Sequence, residues 1–75
     1  MNYKFDSKVK SVRVDYLLYY EDYDESYIDD LDYFARSIQH HINSSDYKVF
    51  EIDTNDNETL IVDTSKIVSV RIAYK

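Results

Sequence analysis

The sequence predicts an α+β fold in which one amphipathic helix packs on a mostly antiparallel four-stranded sheet, in the element order β-α-β-β-β. Two patterns carry this prediction. Apolar residues alternate at period two in several stretches, and between the first and second of these stretches they recur at three- and four-residue steps. A chain of 75 residues, 44% of them apolar and 16% aromatic, has material for one small core. We therefore expect a single domain over residues 1–75.

The first strand is predicted over residues 12–20, where every second residue from Val12 to Tyr20 is apolar or aromatic. Tyr3 and Phe5 alternate in the opposite phase, which predicts a turn or bulge near residues 6–8. The acidic residues 21–25 that follow predict a loop.

The helix is predicted over residues 27–42. Ser26 is a suitable N-cap, and Asp29 occupies the position where a capping box places its acceptor. His40 and His41 suit the negative end of the helix dipole. The apolar positions form one stripe that should face the sheet: Ile28, Leu31, Ala35, Ile38 and Ile42.

Three further strands are predicted over residues 47–53, 59–63 and 66–74, joined as a meander by turns at 54–58 and 64–65. Alternation assigns one set of side chains to the helix-facing side: Phe50, Ile52, Leu60, Val62, Val68, Val70 and Ile72. It assigns a second apolar set, Leu17, Tyr19, Tyr47, Val49, Ile61 and Ile67, to the opposite face. The second set predicts either a surface for self-association or a face that the N-terminal segment covers.

Composition excludes several classes of function. The chain has no cysteine, which removes disulfides and thiolate metal sites and favours the cytoplasm. It also has no glycine, so phosphate-binding glycine loops and nucleophile elbows are not expected. No apolar run approaches the length of a membrane span, and no signal peptide is predicted. We expect neither enzymatic activity nor a cofactor.

Metal binding is also not expected. Read as a calcium loop that starts at Asp22, the chain places Tyr27 where glycine is needed and Tyr33 where a bidentate glutamate is needed. His40 and His41 are adjacent on a helix, so their side chains diverge by about 100° and cannot share one ion.

The most informative feature is an acidic segment, defined as residues 14–35. It contains eight carboxylates, six tyrosines and no Lys or Arg, so the formal net charge of −6 is −8 in this segment and +2 elsewhere. Like charges this close repel one another, which is unfavourable for a domain with little stability to spare. Such charge either keeps the domain soluble or forms a docking surface for a basic partner. An acidic chain is not expected to bind nucleic acid or anionic lipid directly.

The carboxylates on the exposed helix face and in the preceding loop would supply charge to the contact. Tyrosines that do not fall on the periodic positions predicted to be buried would serve as anchors. The predicted partner-binding residues are Tyr19, Asp22, Tyr23, Asp24, Glu25, Asp29, Asp30, Asp32 and Tyr33.

The runs at residues 20–25 and 29–34 resemble, in composition, the acidic, tyrosine-bearing segments of small phage-encoded inhibitors of the anti-CRISPR and DNA-mimic anti-restriction kinds. The resemblance implies a stoichiometric inhibitor that occupies a nucleic-acid-binding groove on a host defence protein. The alternative is a structural or adaptor module, monomeric or homodimeric through the apolar sheet face.

Overall fold

A computed structural model describes residues 8–75, which form two antiparallel sheets, one α-helix and a short 3₁₀ helix. The expected α+β class is confirmed, but the single four-stranded sheet is wrong. One sheet has the order β2-β1-β5 and the other pairs β3 with β4. The predicted alternation at Tyr3 and Phe5, with its turn near residues 6–8, lies outside the described residues. The elements are β1 Val9–Asp15, β2 Tyr20–Tyr23, α1 Leu31–Ile42, β3 Val49–Asp53, β4 Thr59–Asp63, the 3₁₀ helix Thr64–Lys66 and β5 Ser69–Tyr74.

The long first strand predicted over 12–20 is instead a hairpin. β1 and β2 pair antiparallel, with Asp15 opposite Tyr20, and the N–H of Tyr16 donates to the carbonyl of Tyr19 at 2.8 Å. Leu17 and Leu18 occupy the tip of this turn. The apolar alternation runs through the turn because both strands of the hairpin alternate, so periodicity alone does not reveal the reversal.

The helix begins four residues later than predicted. Its N-cap is Asp30, whose carboxylate accepts a hydrogen bond from the N–H of Tyr33 at 3.0 Å. The residues before it form a turn in which the N–H groups of Tyr27 and Ile28 both donate to the carbonyl of Asp24 at 3.0 Å. The turn buries Ile28 completely, so this residue extends the apolar stripe without being helical.

The predicted cap at Ser26, with Asp29 completing a capping box, is therefore wrong. Ser26 donates from its N–H to the Asp24 carboxylate at 2.9 Å and belongs to the turn. The helix ends at Ile42 as predicted, with Asn43 as its C-cap.

The last three strands do not form a meander. β4 has the predicted bounds, but β5 pairs with β1 rather than with β4. Between β4 and β5 the chain turns through the 3₁₀ helix, which Asp63 caps by accepting from the N–H of Ser65 at 3.0 Å. The N–H of Val68 then donates to the carbonyl of Asp15 at 2.8 Å and brings the chain alongside β1.

The core lies between the helix and the inner faces of both sheets. Phe34 is fully buried at its centre, in edge contact with Tyr23 at 4.9 Å between ring centroids and near Phe50 at 6.1 Å. Among the last three predicted strands, two side-chain orientations are wrong: Val68 is 66% exposed, and Ile67 packs against the core. The buried apolar residues are Val9, Val12, Val14, Tyr23, Ile28, Leu31, Phe34, Ala35, Ile38, Phe50 and Val62.

Candidate functional site

Half of the carboxylates in the acidic segment pair with cations that are distant in sequence. Every ion pair found among residues 8–75 uses a carboxylate from this segment. Such pairing places positive charge beside four of the eight acids and reduces the field that the segment presents to a partner. The pairs are Asp32–Lys8 and Asp15–Arg71 at 3.9 Å each, Asp22–Arg13 at 2.8 Å, and Glu25–Lys75.

The best-formed pair joins the two strands of the hairpin. Arg13 donates from Nε and Nη2 to the two carboxylate oxygens of Asp22, at 2.8 and 3.1 Å. Its guanidinium also lies 4.3 Å from the centroid of the Tyr20 ring, within the range of a cation–π contact. The hydrogen bond from Arg13 lowers the pKa of Asp22. Asp22 thus contributes to cross-strand pairing and remains charged in mildly acidic solution.

Three more predicted site carboxylates hold the backbone of the connection between β2 and α1. Asp24 accepts from the side chain and the N–H of Ser26, and these hydrogen bonds lower its pKa. Asp30 caps the helix. Asp32 accepts from the N–H of Val9 at 2.9 Å, which ties the first helical turn to the start of β1. All three carboxylates therefore have a role in folding, independent of any partner.

The three predicted tyrosine anchors lie in different environments. Tyr23 is only 5% exposed, because it lies directly opposite Val12 in the hairpin and shares that residue's inward face. Burial raises the pKa of its phenol. Tyr33 is half exposed on the first turn of the helix, whereas Tyr19 is exposed in the β1–β2 turn and stacks on Tyr16 with 4.8 Å between ring centroids. The assumption that Tyr23 lies off the core is wrong.

A second acidic turn, over residues 54–58, contacts the acidic turn at residues 24–28 that precedes the helix. The N–H of Asn55 donates to the carbonyl of Tyr27 at 2.8 Å, and its side-chain amide donates to the carbonyl of Glu25 at 2.9 Å. These bonds place the exposed residues Asp56 and Glu58 on the same side of the molecule as Glu25 and Tyr27. The sequence predicts residues 54–58 only as a connecting turn, because the contact between Asn55 and Glu25 spans 30 positions and leaves no local signal.

We define the acidic end as residues 8–10, 24–32, 53–58 and 75. The N–H of Lys75 donates to the carbonyl of Lys8 at 2.9 Å, which brings the start of β1 and the end of β5 to this place. The acidic end holds eight carboxylates and three lysines. Asp29 makes no hydrogen bond or ion pair through its side chain with any residue in 8–75. A depression of about 330 Å³ opens here, lined by Lys8, Val9, Glu25, Asp29, Asp30, Leu31, Asp32 and Lys75.

The opposite end of the molecule is apolar. We define the apolar end as residues 16–20, 43–49 and 63–68, which the bonds Val68 N–H to Asp15 carbonyl and Thr64 N–H to Lys48 carbonyl hold together, each at 2.8 Å. It contains two carboxylates and two lysines, so its formal charge is zero. Of the nine large apolar or aromatic side chains that are exposed in residues 8–75, seven lie here: Leu17, Leu18, Tyr19, Tyr20, Tyr47, Val49 and Val68.

The predicted apolar sheet face does not exist as one surface. Leu17 lies at the hairpin tip, whereas Ile61 lies in the middle of β4 on the outer face of the second sheet. The outer face of the three-stranded sheet is polar instead. Arg13 lies opposite Arg71 on the neighbouring strand, and Asp15 forms an ion pair with Arg71.

Among residues 8–75, no group of three or more His, Asp or Glu side chains is arranged to hold a metal ion. His41 instead stacks on Phe50, and its Nδ1 lies 2.6 Å from the carbonyl of Tyr47. In the same part of the chain, the single helix is too short to cross a membrane.

No protein-family model matches the chain, and no curated protein or solved structure matches it either.

Proposed function

We propose that this protein is a non-enzymatic binding module whose acidic end occupies a basic groove on a partner protein, in the manner of a DNA mimic that inhibits a nucleic-acid-binding protein of a host defence system. The observation that carries the proposal is the convergence of two acidic turns, far apart in sequence, on one end of the molecule. The compartment that suits this function is the cytoplasm, where such partners act.

The charge balance of the two ends supports the proposal. Eight carboxylates against three lysines at the acidic end leave a local formal charge of −5, whereas the apolar end is neutral. A field concentrated at one end orients the molecule as it approaches a basic surface and accelerates association. The ends are separated by the length of β1, roughly 20 Å, which exceeds the Debye length of about 8 Å at physiological salt.

The proposed binding residues differ from those expected from the sequence. Asp29, Asp56 and Glu58 carry the charge best placed for a partner, because they are exposed and their side chains make no polar contact with residues 8–75. Tyr33 supplies an exposed aromatic ring in the first turn of the helix. Asp22 instead pairs with Arg13 across the hairpin, and Tyr23 is part of the core.

The proposal is tested with two triple variants that change the net charge equally. D29N/D56N/E58Q removes three charges from the acidic end, and E21Q/D46N/E51Q removes three exposed charges from elsewhere. Each protein is immobilised and exposed to those proteins of a bacterial lysate that bind DNA-cellulose, and captured proteins are eluted with duplex DNA. We expect the wild type and the second variant to capture proteins that duplex DNA releases. The first variant should capture at least about tenfold less, because charges removed at the contact surface weaken binding more than charges removed elsewhere.

Equal loss of capture by both triple variants would mean that only net charge matters, and the proposal of a defined acidic site would be wrong. Capture that duplex DNA does not release would also contradict it, since a DNA mimic and DNA compete for one groove. Circular dichroism of both variants confirms that each remains folded.

A further inference from the structure

We infer that the apolar end is a self-association surface through which two copies of this chain form a symmetric dimer, with their acidic ends directed away from each other. This inference concerns a surface that the proposed function does not use.

The turn between β1 and β2 has no structural reason to carry two leucines. Two-residue hairpin turns favour Asn, Asp and Gly, which are polar or accept positive φ angles. The chain uses such residues in its other hairpin, where Asn57 adopts a φ of 64° in the turn between β3 and β4. At the corresponding place in the first hairpin, Leu17 and Leu18 are 84% and 91% exposed. Their exposure is unfavourable in water and indicates a surface that is covered in a complex.

The apolar residues at this end come from three separate segments. Val68 joins the hairpin tip through its N–H bond to Asp15, and Val49 starts β3 directly opposite Asp63. The 3₁₀ helix Thr64–Lys66 begins directly after Asp63 and leads the chain from the end of β4 to Val68. The patch is therefore assembled by the tertiary fold rather than by one loop.

The charge distribution favours a second copy as the occupant. The apolar end has no formal charge, so two such ends meet without like-charge repulsion, and a basic partner would gain nothing electrostatic there. A contact about a two-fold axis uses the same patch twice and needs no second complementary surface. In this arrangement the two acidic ends point outward, separated by more than the length of two β1 strands, so salt screens their repulsion.

The size of the patch predicts a weak dimer. A stable interface takes about 20 to 30 residues from each partner, and seven apolar side chains provide only its centre. We therefore expect a dissociation constant in the range from about 10 µM to about 1 mM.

Sedimentation velocity of the purified full chain, from about 10 µM to about 1 mM, measures this equilibrium. Leu17→Lys and Ile61→Lys each add one positive charge at an exposed position, but only the first lies at the apolar end. We expect the wild type and Ile61→Lys to approach the dimer mass as concentration rises, and Leu17→Lys to remain monomeric or to dimerise at least about tenfold more weakly.

A wild type that remains monomeric at about 1 mM would overturn the inference. Loss of the dimer in Ile61→Lys but not in Leu17→Lys would also overturn it and would place the interface on the outer face of the second sheet. Because Leu17→Lys leaves the acidic end intact, its capture of DNA-binding proteins tests the proposed function separately: the dimer can fail while capture persists, and the reverse.

Discussion

Asp30 is the carboxylate whose folding role can be separated most cleanly from its charge. Its side chain accepts from the N–H of Tyr33, the third residue of the helix, at 3.0 Å, and its carbonyl accepts the first helical bond from Phe34 at 3.1 Å. Removal of a side-chain cap typically costs about 1 kcal/mol, within a range of about 0.5 to 2 kcal/mol. We therefore expect Asp30→Ala to lower the free energy of unfolding by about 1 kcal/mol.

That loss is large for so small a domain. Typical stabilities of 0.05–0.15 kcal/mol per residue give this chain about 4 to 11 kcal/mol in total. A change of about 1 kcal/mol lowers the melting temperature of a domain of this size by about 4 to 8 °C. Thermal unfolding followed by circular dichroism measures the shift, and urea unfolding gives the change in free energy.

Two neighbouring substitutions serve as controls. Asp30→Asn removes the charge but keeps an oxygen that can accept the capping bond, so it should retain most of the stability. Asp29→Ala removes a carboxylate one residue outside the cap and should cost about 0.3 kcal/mol, the lower end of the range for an exposed charge near a helix terminus. The assignment of the cap would be refuted if Asp29→Ala were as destabilising as Asp30→Ala, or if Asp30→Asn lost as much as Asp30→Ala.

Two further substitutions test the hairpin turn and the core. Asn57 has a φ of 64°, so Asn57→Ala should cost about 1 to 2 kcal/mol in urea unfolding, whereas Asn57→Gly should not; equal losses would contradict a backbone cause. Burial raises the pKa of Tyr23 above the value of about 10 that it has in the unfolded chain. Its contribution to stability is therefore fully present below pH 10 and is lost as the pH rises towards the folded pKa. Between pH 8 and pH 11 the wild type should lose more free energy of unfolding than Tyr23→Phe, and equal losses would show that Tyr23 is not the group responsible.

The sequence predicted the helix more accurately than its surroundings. Recurrence of apolar residues at three- and four-residue steps requires a helix whatever it packs against, and the end at Ile42 was predicted correctly. The start was misplaced because Ile28 continues the apolar stripe from inside a turn, where the carbonyl of Asp24 holds its N–H. Periodicity records which side chains are buried, and a turn can bury a side chain as well as a helix can.

The hairpin shows the same difficulty for strands. Leucine is not one of the residue types that are typical of hairpin turns, so Leu17 and Leu18 give no local signal of the reversal between β1 and β2. The missed reversal changed the interpretation of Tyr23, which pairs with Val12 and therefore lies inside. Because this turn was not predicted, Tyr23 was expected to be a surface anchor, whereas it is a core residue.

The amino-acid sequence by itself determined the α+β class, the existence of the helix and of most strands, and the concentration of carboxylates in one segment, because each depends on residues within a few positions of one another. The tertiary structure alone decided which strands pair, which acids are neutralised and which turns share an end. Those outcomes depend on contacts such as Asp15 with Arg71 and Asn55 with Glu25, which join residues 30 or more positions apart. Local patterns do not encode such contacts, because their free energy depends on the packing of the whole chain.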